Sequence, residues 1–158
     1  MKPSIAALIT AFGLTALSLA APAASAQKTS SPAPAANPAD VPGLGEIMTL
    51  QQLRHMKLWF AGNAGNWALA NYEIGELNEG FDDVDKLLGG GTVDKMVGAP
   101  LKDLQKVVDD KNRAAFPAAF DGLSAGCNSC HHLLDHAFIV IKRPTLLPYS
   151  DQVFEPVK

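Results

Sequence analysis

The chain has 158 residues, a formal net charge of −3, and 47% hydrophobic residues. The length indicates one domain, the composition argues against disorder throughout, and the absence of a basic excess argues against nucleic acid as a partner. Only two cysteines occur, three positions apart, which is too few and too local for a disulfide framework.

The N-terminus predicts an export signal. Lys2 precedes an apolar run over residues 5–21, and Ala24-Ser25-Ala26 fits the A-x-A pattern before a cleavage site. We therefore predict a signal peptide over residues 1–26, export to the periplasm, and no stable membrane insertion after cleavage. An uncleaved membrane anchor is the alternative, but the run is short for a span of about 20 residues. Residues 27–43, which are rich in Ala and Pro, are predicted to be a flexible linker.

Residues 44–158 are predicted to form an all-α domain, an antiparallel four-helix bundle with an extended, Pro-containing C-terminal tail. The first helix is predicted over residues 45–61. It carries one apolar stripe and a second, more polar stripe, formed by Leu53, Met56 and Phe60 and by Met48, Gln52, His55 and Trp59 respectively. The second helix is predicted from Trp67 to Leu88, between the capping residue Asn66 and a run of three glycines. Its apolar residues alternate spacings of three and four, which predicts a buried seam formed by Trp67, Ala70, Ile74, Leu77, Phe81, Val84 and Leu88.

The second helix also carries many acidic side chains, which we predict on its outer face. The pattern suits either a docking patch for a basic partner or an ordinary solvated face, and solvated faces are the more common case. The residues concerned are Glu73, Glu76, Glu79, Asp82, Asp83 and Asp85.

Two further helices are predicted before the tail. The third includes Val97 and Val108, with Pro100 in its first turn. The fourth begins near residue 112 and places an apolar face and both cysteines on one side, namely Phe116, Phe120, Leu123, Cys127, Cys130 and Leu134. After Phe138 the chain is predicted to be extended, and the tail is expected to wrap over the bundle.

The segment Cys127-Asn128-Ser129-Cys130-His131 matches C-x-x-C-H, the attachment sequence of c-type haem. In this pattern two thiols form thioether bonds to one porphyrin, and the adjacent histidine supplies an imidazole nitrogen to the iron. We therefore predict one covalently attached haem c, held by Cys127 and Cys130, with His131 as an axial ligand. An apolar wall is expected around it from Phe116, Phe120, Leu123 and Leu134.

Three other interpretations of the cysteine pair stay open. A thioredoxin-like redox pair would need a strand–helix context, which this sequence lacks. A zinc site would draw on Cys127, Cys130, His132 and His136, which are crowded into ten residues and have no distant partner segment. The third is a chance match or a structural disulfide.

An exported four-helix chain with C-x-x-C-H near its C-terminus resembles the class II cytochromes c, which include cytochrome c prime. The likeness covers about residues 45–138. Residues 54–62 and 138–145 are also similar to a subgroup of proteobacterial cytochrome c-like proteins. The resemblance implies a sixth iron position that is either open to small gases or filled by a Met of the first helix.

The sixth ligand is predicted among the side chains of the first helix. His55 is our first candidate, and Met56 and Met48 are the alternatives, beside an open site. A histidine would lower the reduction potential and a methionine would raise it. Lys142 and Arg143 would either pair with haem propionates or be exposed basic residues.

These observations predict an electron carrier that cycles Fe(III)/Fe(II) and docks with redox partner proteins, without transforming a substrate. The alternative is a five-coordinate haem protein that binds NO or CO. A haem peroxidase is a third and weaker hypothesis, since the sequence shows no evident acid–base pair for the distal side of the haem. A second copy of the chain, as a homodimer, is a further candidate partner.

Overall fold

The computed structural model describes residues 42–157; the predicted signal peptide and all but the end of the predicted linker lie outside them. This part of the chain is all-helical, with four α-helices and no strand. Among the described residues, none of the helices combines the length and the apolar character that crossing a membrane requires.

The four helices are α1 (Leu44–Ala64), α2 (Trp67–Leu88), α3 (Ala99–Asp109) and α4 (Phe116–Leu133). A short π-helical segment, Asp94–Gly98, leads directly into α3. The predicted number of helices is confirmed, and α2 has the predicted bounds. Helix α4 begins about four residues later than predicted, with Pro117 in its first turn, where its missing N–H costs no hydrogen bond.

The junction between α1 and α2 is only two residues long. Gly65 adopts a left-handed conformation (φ 79°), which a residue without Cβ reaches at little cost. The side chain of Asn66 then accepts a hydrogen bond from the Leu69 amide at 3.1 Å, so it caps α2 as predicted. This tight turn places α1 and α2 side by side.

The core lies between the helices, and its largest buried side chains include three where α1 meets α4. Phe116, Phe120 and Leu58 are fully buried there. Gly62 is what allows this approach, because a Cβ at that position would lie 2.1 Å from Cζ of Phe116. Trp59 completes the aromatic cluster, with its ring centroid 4.9 Å from that of Phe120.

The predicted stripes of α1 need correction. The buried face consists of Ile47, Gln51, His55, Leu58, Ala61 and Gly62, whereas the predicted apolar stripe of Leu53, Met56 and Phe60 is only half-buried. The physical reason is that two buried polar side chains have partners. Gln51 donates to the Leu77 carbonyl at 2.7 Å, and His55 bonds Ser124.

The predicted acidic face of α2 is also wrong at one position. Glu73 is fully buried and forms an ion pair with Lys57 of α1, and burial raises the pKa of its carboxyl group. Glu76 is half-buried and pairs with Arg54 at 2.9 Å. Glu79, Asp82 and Asp83 are exposed, whereas Asp85 is half-buried and accepts hydrogen bonds from the backbone amides that follow α2. Helix α2 therefore uses part of its acidic run to bind α1.

Residues 134–157 contain no helix or strand, yet they contact the helices at several points. Arg143 forms two hydrogen bonds with the Asp121 carboxylate, at 2.7 and 2.6 Å. Phe154 is buried, with its ring centroid 5.8 Å from that of Phe60. We call residues 139–157 the C-terminal segment.

Candidate haem site

An apolar cavity of about 400 Å³ opens beside the C-terminal half of α4. Its volume lies in the range of small-molecule and cofactor sites, roughly 300–1,000 Å³. Cys127, Cys130 and His131 all line it, so the structure brings the three predicted haem-binding residues to one cavity.

The walls of the cavity come from other helices than the sequence predicted. Helix α1 lines one side of the cavity, through residues such as Met48 and His55. The other apolar side chains of the walls are Leu77, Phe81 and Val84 of α2 and Val93, Val97, Leu134, Ile139 and Ile141. Of the four predicted wall residues only Leu134 lines the cavity. The other three, Phe116, Phe120 and Leu123, lie earlier on α4 and are buried in the main core. The periodic apolar pattern of α2 marked Phe81 and Val84 as buried but gave no sign of what they face.

The imidazole of His131 is oriented by the backbone. Its Nδ1 donates a hydrogen bond to the Ile139 carbonyl at 2.9 Å, because a carbonyl oxygen can only accept. In the neutral ring this leaves the Nε2 lone pair free to bind a metal. Histidine ligands of metals commonly have such a carbonyl partner, which fixes the tautomer and raises the basicity of the ring.

The two cysteines are unpaired thiols in a low-polarity environment. Burial raises the pKa of Cys127 to about 12, and burial together with the nearby Asp85 carboxylate raises the pKa of Cys130. A thioredoxin-like pair needs at least one thiol with a lowered pKa. The surroundings of Cys127 and Cys130 raise the thiol pKa instead, so they do not favour thioredoxin-like redox chemistry.

Of the four residues of the zinc alternative, Cys127, Cys130 and His136 line this cavity and His132 does not. Within residues 42–157 no three side chains of His, Cys, Asp or Glu come together as a metal-binding group. His132 is exposed, and His136 uses its Nδ1 to donate to the Leu134 carbonyl at 2.5 Å.

His55 lines the same cavity but has a partner already. Its Nε2 lies 2.8 Å from Oγ of Ser124, and that hydroxyl donates to the Phe120 carbonyl at 3.0 Å. Since the hydroxyl proton is used, Nε2 of His55 is the donor and Nδ1 carries the lone pair. The ring also packs against that of Phe120, with the centroids 4.2 Å apart and the planes tilted by 36°. Burial lowers the pKa of His55 to about 4.

The two methionine candidates differ in position. Met48 is half-buried and lines the cavity, whereas Met56 is half-buried on α1 and does not line it. Arg143, predicted as a propionate contact or an exposed base, is held by Asp121 and lies over the Trp59 ring at 5.0 Å. Lys142 is exposed.

Comparison of the chain with protein-family models, with curated proteins and with solved structures finds no match.

Proposed function

We propose that this protein is an exported, periplasmic monohaem c-type cytochrome that carries electrons. The observation that carries the proposal is the convergence of Cys127, Cys130 and the Nδ1-bonded imidazole of His131 on one apolar cavity. The C-x-x-C-H spacing supplies the chemical reason for these three residues. Bound haem c would supply a one-electron Fe(III)/Fe(II) couple.

The residues fit that group in type and in environment. Neither thiol is part of a disulfide, so both are free for thioether formation, and His131 has its Nε2 available as an axial ligand. The cavity walls are mostly apolar, and apolar surroundings disfavour the extra positive charge of the oxidised iron. We therefore expect a higher reduction potential than that of a solvent-exposed haem with the same ligands.

We infer that α1 and α4 run antiparallel, as an up-down-up-down bundle requires, from the pairs of residues in contact. Along α1 and α4 the pairs are His55 with Ser124, Trp59 with Phe120, and Gly62 with Phe116. As the residue number rises along α1, the number of its partner on α4 falls, which is the pattern of two antiparallel helices. The C-terminal segment then acts as the strap expected from its prolines, fastened through contacts such as Phe154 on Phe60.

The same register favours Met48 over His55 as the sixth ligand. His55 meets Ser124, so moving seven residues back along α1, to Met48, corresponds to moving seven residues forward along α4, to His131. Met48 also has no competing hydrogen bond to break, whereas His55 would have to give up its buried bond to Ser124 or bind through Nδ1. We propose that Met48, rather than His55, would supply the second protein ligand to the haem iron, and that His55 stays a neutral neighbour.

A gas-binding function is the alternative to electron transfer, and one spectroscopic experiment distinguishes the two. The chain would be produced in a host that exports it and attaches haem, and spectra of the oxidised and reduced protein would be recorded before and after CO is added. A low-spin, six-coordinate spectrum that CO changes little supports the carrier. A high-spin reduced form that binds CO readily supports the gas binder.

Single substitutions identify the ligand. We expect Met48→Ala to convert the six-coordinate spectrum to a high-spin, CO-binding one, and the matched Met56→Ala to leave it unchanged. If His55→Gln produces the high-spin form and Met48→Ala does not, the ligand assignment is wrong while the haem attachment stands.

A further inference from the structure

Asn128, the first variable residue of the C-x-x-C-H motif, clamps the backbone of the C-terminal segment. Its Nδ2 donates to the Ile141 carbonyl at 2.9 Å, and its Oδ1 accepts from the Ile141 amide at 2.7 Å. Both polar atoms of one side chain therefore bind both polar backbone groups of one residue. The Asn128 side chain therefore pairs with the backbone of Ile141 in the way that an adjacent β-strand pairs with its neighbour.

This clamp lies beside the hydrogen bond that orients His131. Asn128 and His131 are three residues apart on α4, so their side chains are neighbours on one face of the helix. Their partners, Ile141 and Ile139, are two residues apart in a stretch without helix. In extended backbone the polar groups of residues i and i+2 point to the same side. The side chains of Asn128 and His131 therefore hydrogen-bond to backbone groups along the same side of one short segment.

The side chains of that segment follow the same alternation. Ile139, which is 41% exposed, and the half-buried Ile141 line the cavity, whereas Val140 between them is 68% exposed and does not line it. Holding Ile141 therefore fixes two things at once: the Ile139 carbonyl that accepts from His131, and two apolar side chains of the cavity wall. Asn128 is the only side chain within residues 42–157 that hydrogen-bonds Ile141.

We propose that Asn128 is a positioning residue for the axial histidine. By clamping Ile141, it holds the Ile139 carbonyl where the Nδ1–H of His131 can donate to it, and this fixes the ring orientation and leaves Nε2 for the iron. The inference rests on the proposed haem-binding function and adds a role for a motif position that the C-x-x-C-H pattern leaves unspecified.

Two variants and a matched control test the clamp. Asn128→Ala removes both hydrogen bonds, and Asn128→Asp keeps the acceptor but removes the donor. Ser129→Ala is the control, because Ser129 is the other variable position of the motif and its hydroxyl bonds only the Ala125 carbonyl of its own helix. Mass spectrometry of the full chain first establishes whether haem is attached, which tests the proposed function separately from the clamp.

The readout is hydrogen exchange followed by NMR on the full chain, reduced and diamagnetic, with CO added if the iron is five-coordinate. Two protons are followed, the Ile141 amide and the Nδ1–H of His131; the amide is also followed in the haem-free chain. Because two hydrogen bonds of typical net strength are lost, we expect both protons to exchange about tenfold faster or more in Asn128→Ala. The increase should be smaller in Asn128→Asp and absent in Ser129→Ala.

Two results would overturn the inference. One is unchanged exchange of both protons in the Asn128 variants. The other is faster exchange at Ile141 with an unchanged rate at His131 Nδ1–H, since Asn128 would then hold the segment without positioning the histidine. If the wild-type chain carries no haem, the proposed function fails, and exchange at Ile141 in that chain still measures the clamp.

Discussion

Acid should destabilise this protein through one buried histidine. His55 is 3% exposed, and burial lowers its pKa from 6.5 to about 4. The folded state therefore stays neutral at this ring, while the unfolded chain takes up a proton below about pH 6.5. At ~1.36 kcal/mol per pKa unit, the full effect on the free energy of unfolding is about 3 kcal/mol. Its sign is fixed: the contribution is intact above about pH 6.5 and is lost as the pH falls towards about 4.

Urea unfolding of the full chain, followed by far-UV circular dichroism, measures this effect. Between about pH 7.5 and about pH 5, His55 should account for about 2 kcal/mol of lost stability. The His55→Gln variant keeps a hydrogen-bonding side chain beside Ser124 but has no proton to gain, so its loss over the same interval should be smaller by that amount. His132→Gln is the control, because His132 is exposed.

Comparing variants cancels the contributions of other titrating groups, including the buried carboxyl of Glu73. The reasoning would be refuted if His55→Gln lost as much stability on acidification as the wild type. It would be refuted equally if His132→Gln removed the same part of the pH dependence.

Two further predictions concern the packing of α1. Gly62→Ala should destabilise the fold by about 1–3 kcal/mol, because its Cβ would overlap the Phe116 ring. Gly75→Ala has open space around its Cβ and should stabilise the fold by up to about 1 kcal/mol. Thermal unfolding of both variants would detect this contrast. Lys57→Met should cost about 3–5 kcal/mol, since it leaves the Glu73 carboxylate buried without a counter-charge. The double variant with Glu73→Leu should recover most of that loss, and a double variant as unstable as the single one would contradict the account.

Local sequence rules were sufficient for most of the helical architecture. Alternating spacings of three and four gave α2 its predicted bounds, and Asn66 caps it as predicted. These features depend on neighbouring residues in the chain, which a sequence displays directly. The start of α4 was misplaced because Pro117 is compatible with several early positions of a helix.

Positions that depend on a partner from another helix were harder to predict. Gln51 and His55 look like surface residues because their polarity suggests solvent, yet each is buried with a partner more than 25 residues away. Glu73 is similar, since its partner Lys57 lies on another helix. Nothing in the local pattern distinguishes a buried, partnered polar group from a solvated one.

The residues of the candidate site also fall into those that the local sequence predicts and those that depend on packing. The C-x-x-C-H motif identified Cys127, Cys130 and His131 because the chemistry fixes their spacing. The contributions of Ile139 and of the α2 side chains could not be predicted, since the first depends on a backbone carbonyl and the second on how the helices pack.

Mass spectrometry of the chain matured in a host that attaches haem tests the central claim most directly. The wild-type polypeptide should carry the added mass of one haem after denaturation, with the porphyrin bonded to a peptide containing Cys127 and Cys130. The Cys127→Ser, Cys130→Ser double variant should lose this covalent addition. A wild-type chain of bare polypeptide mass, from a host that attaches haem to a control cytochrome in parallel, would contradict the account.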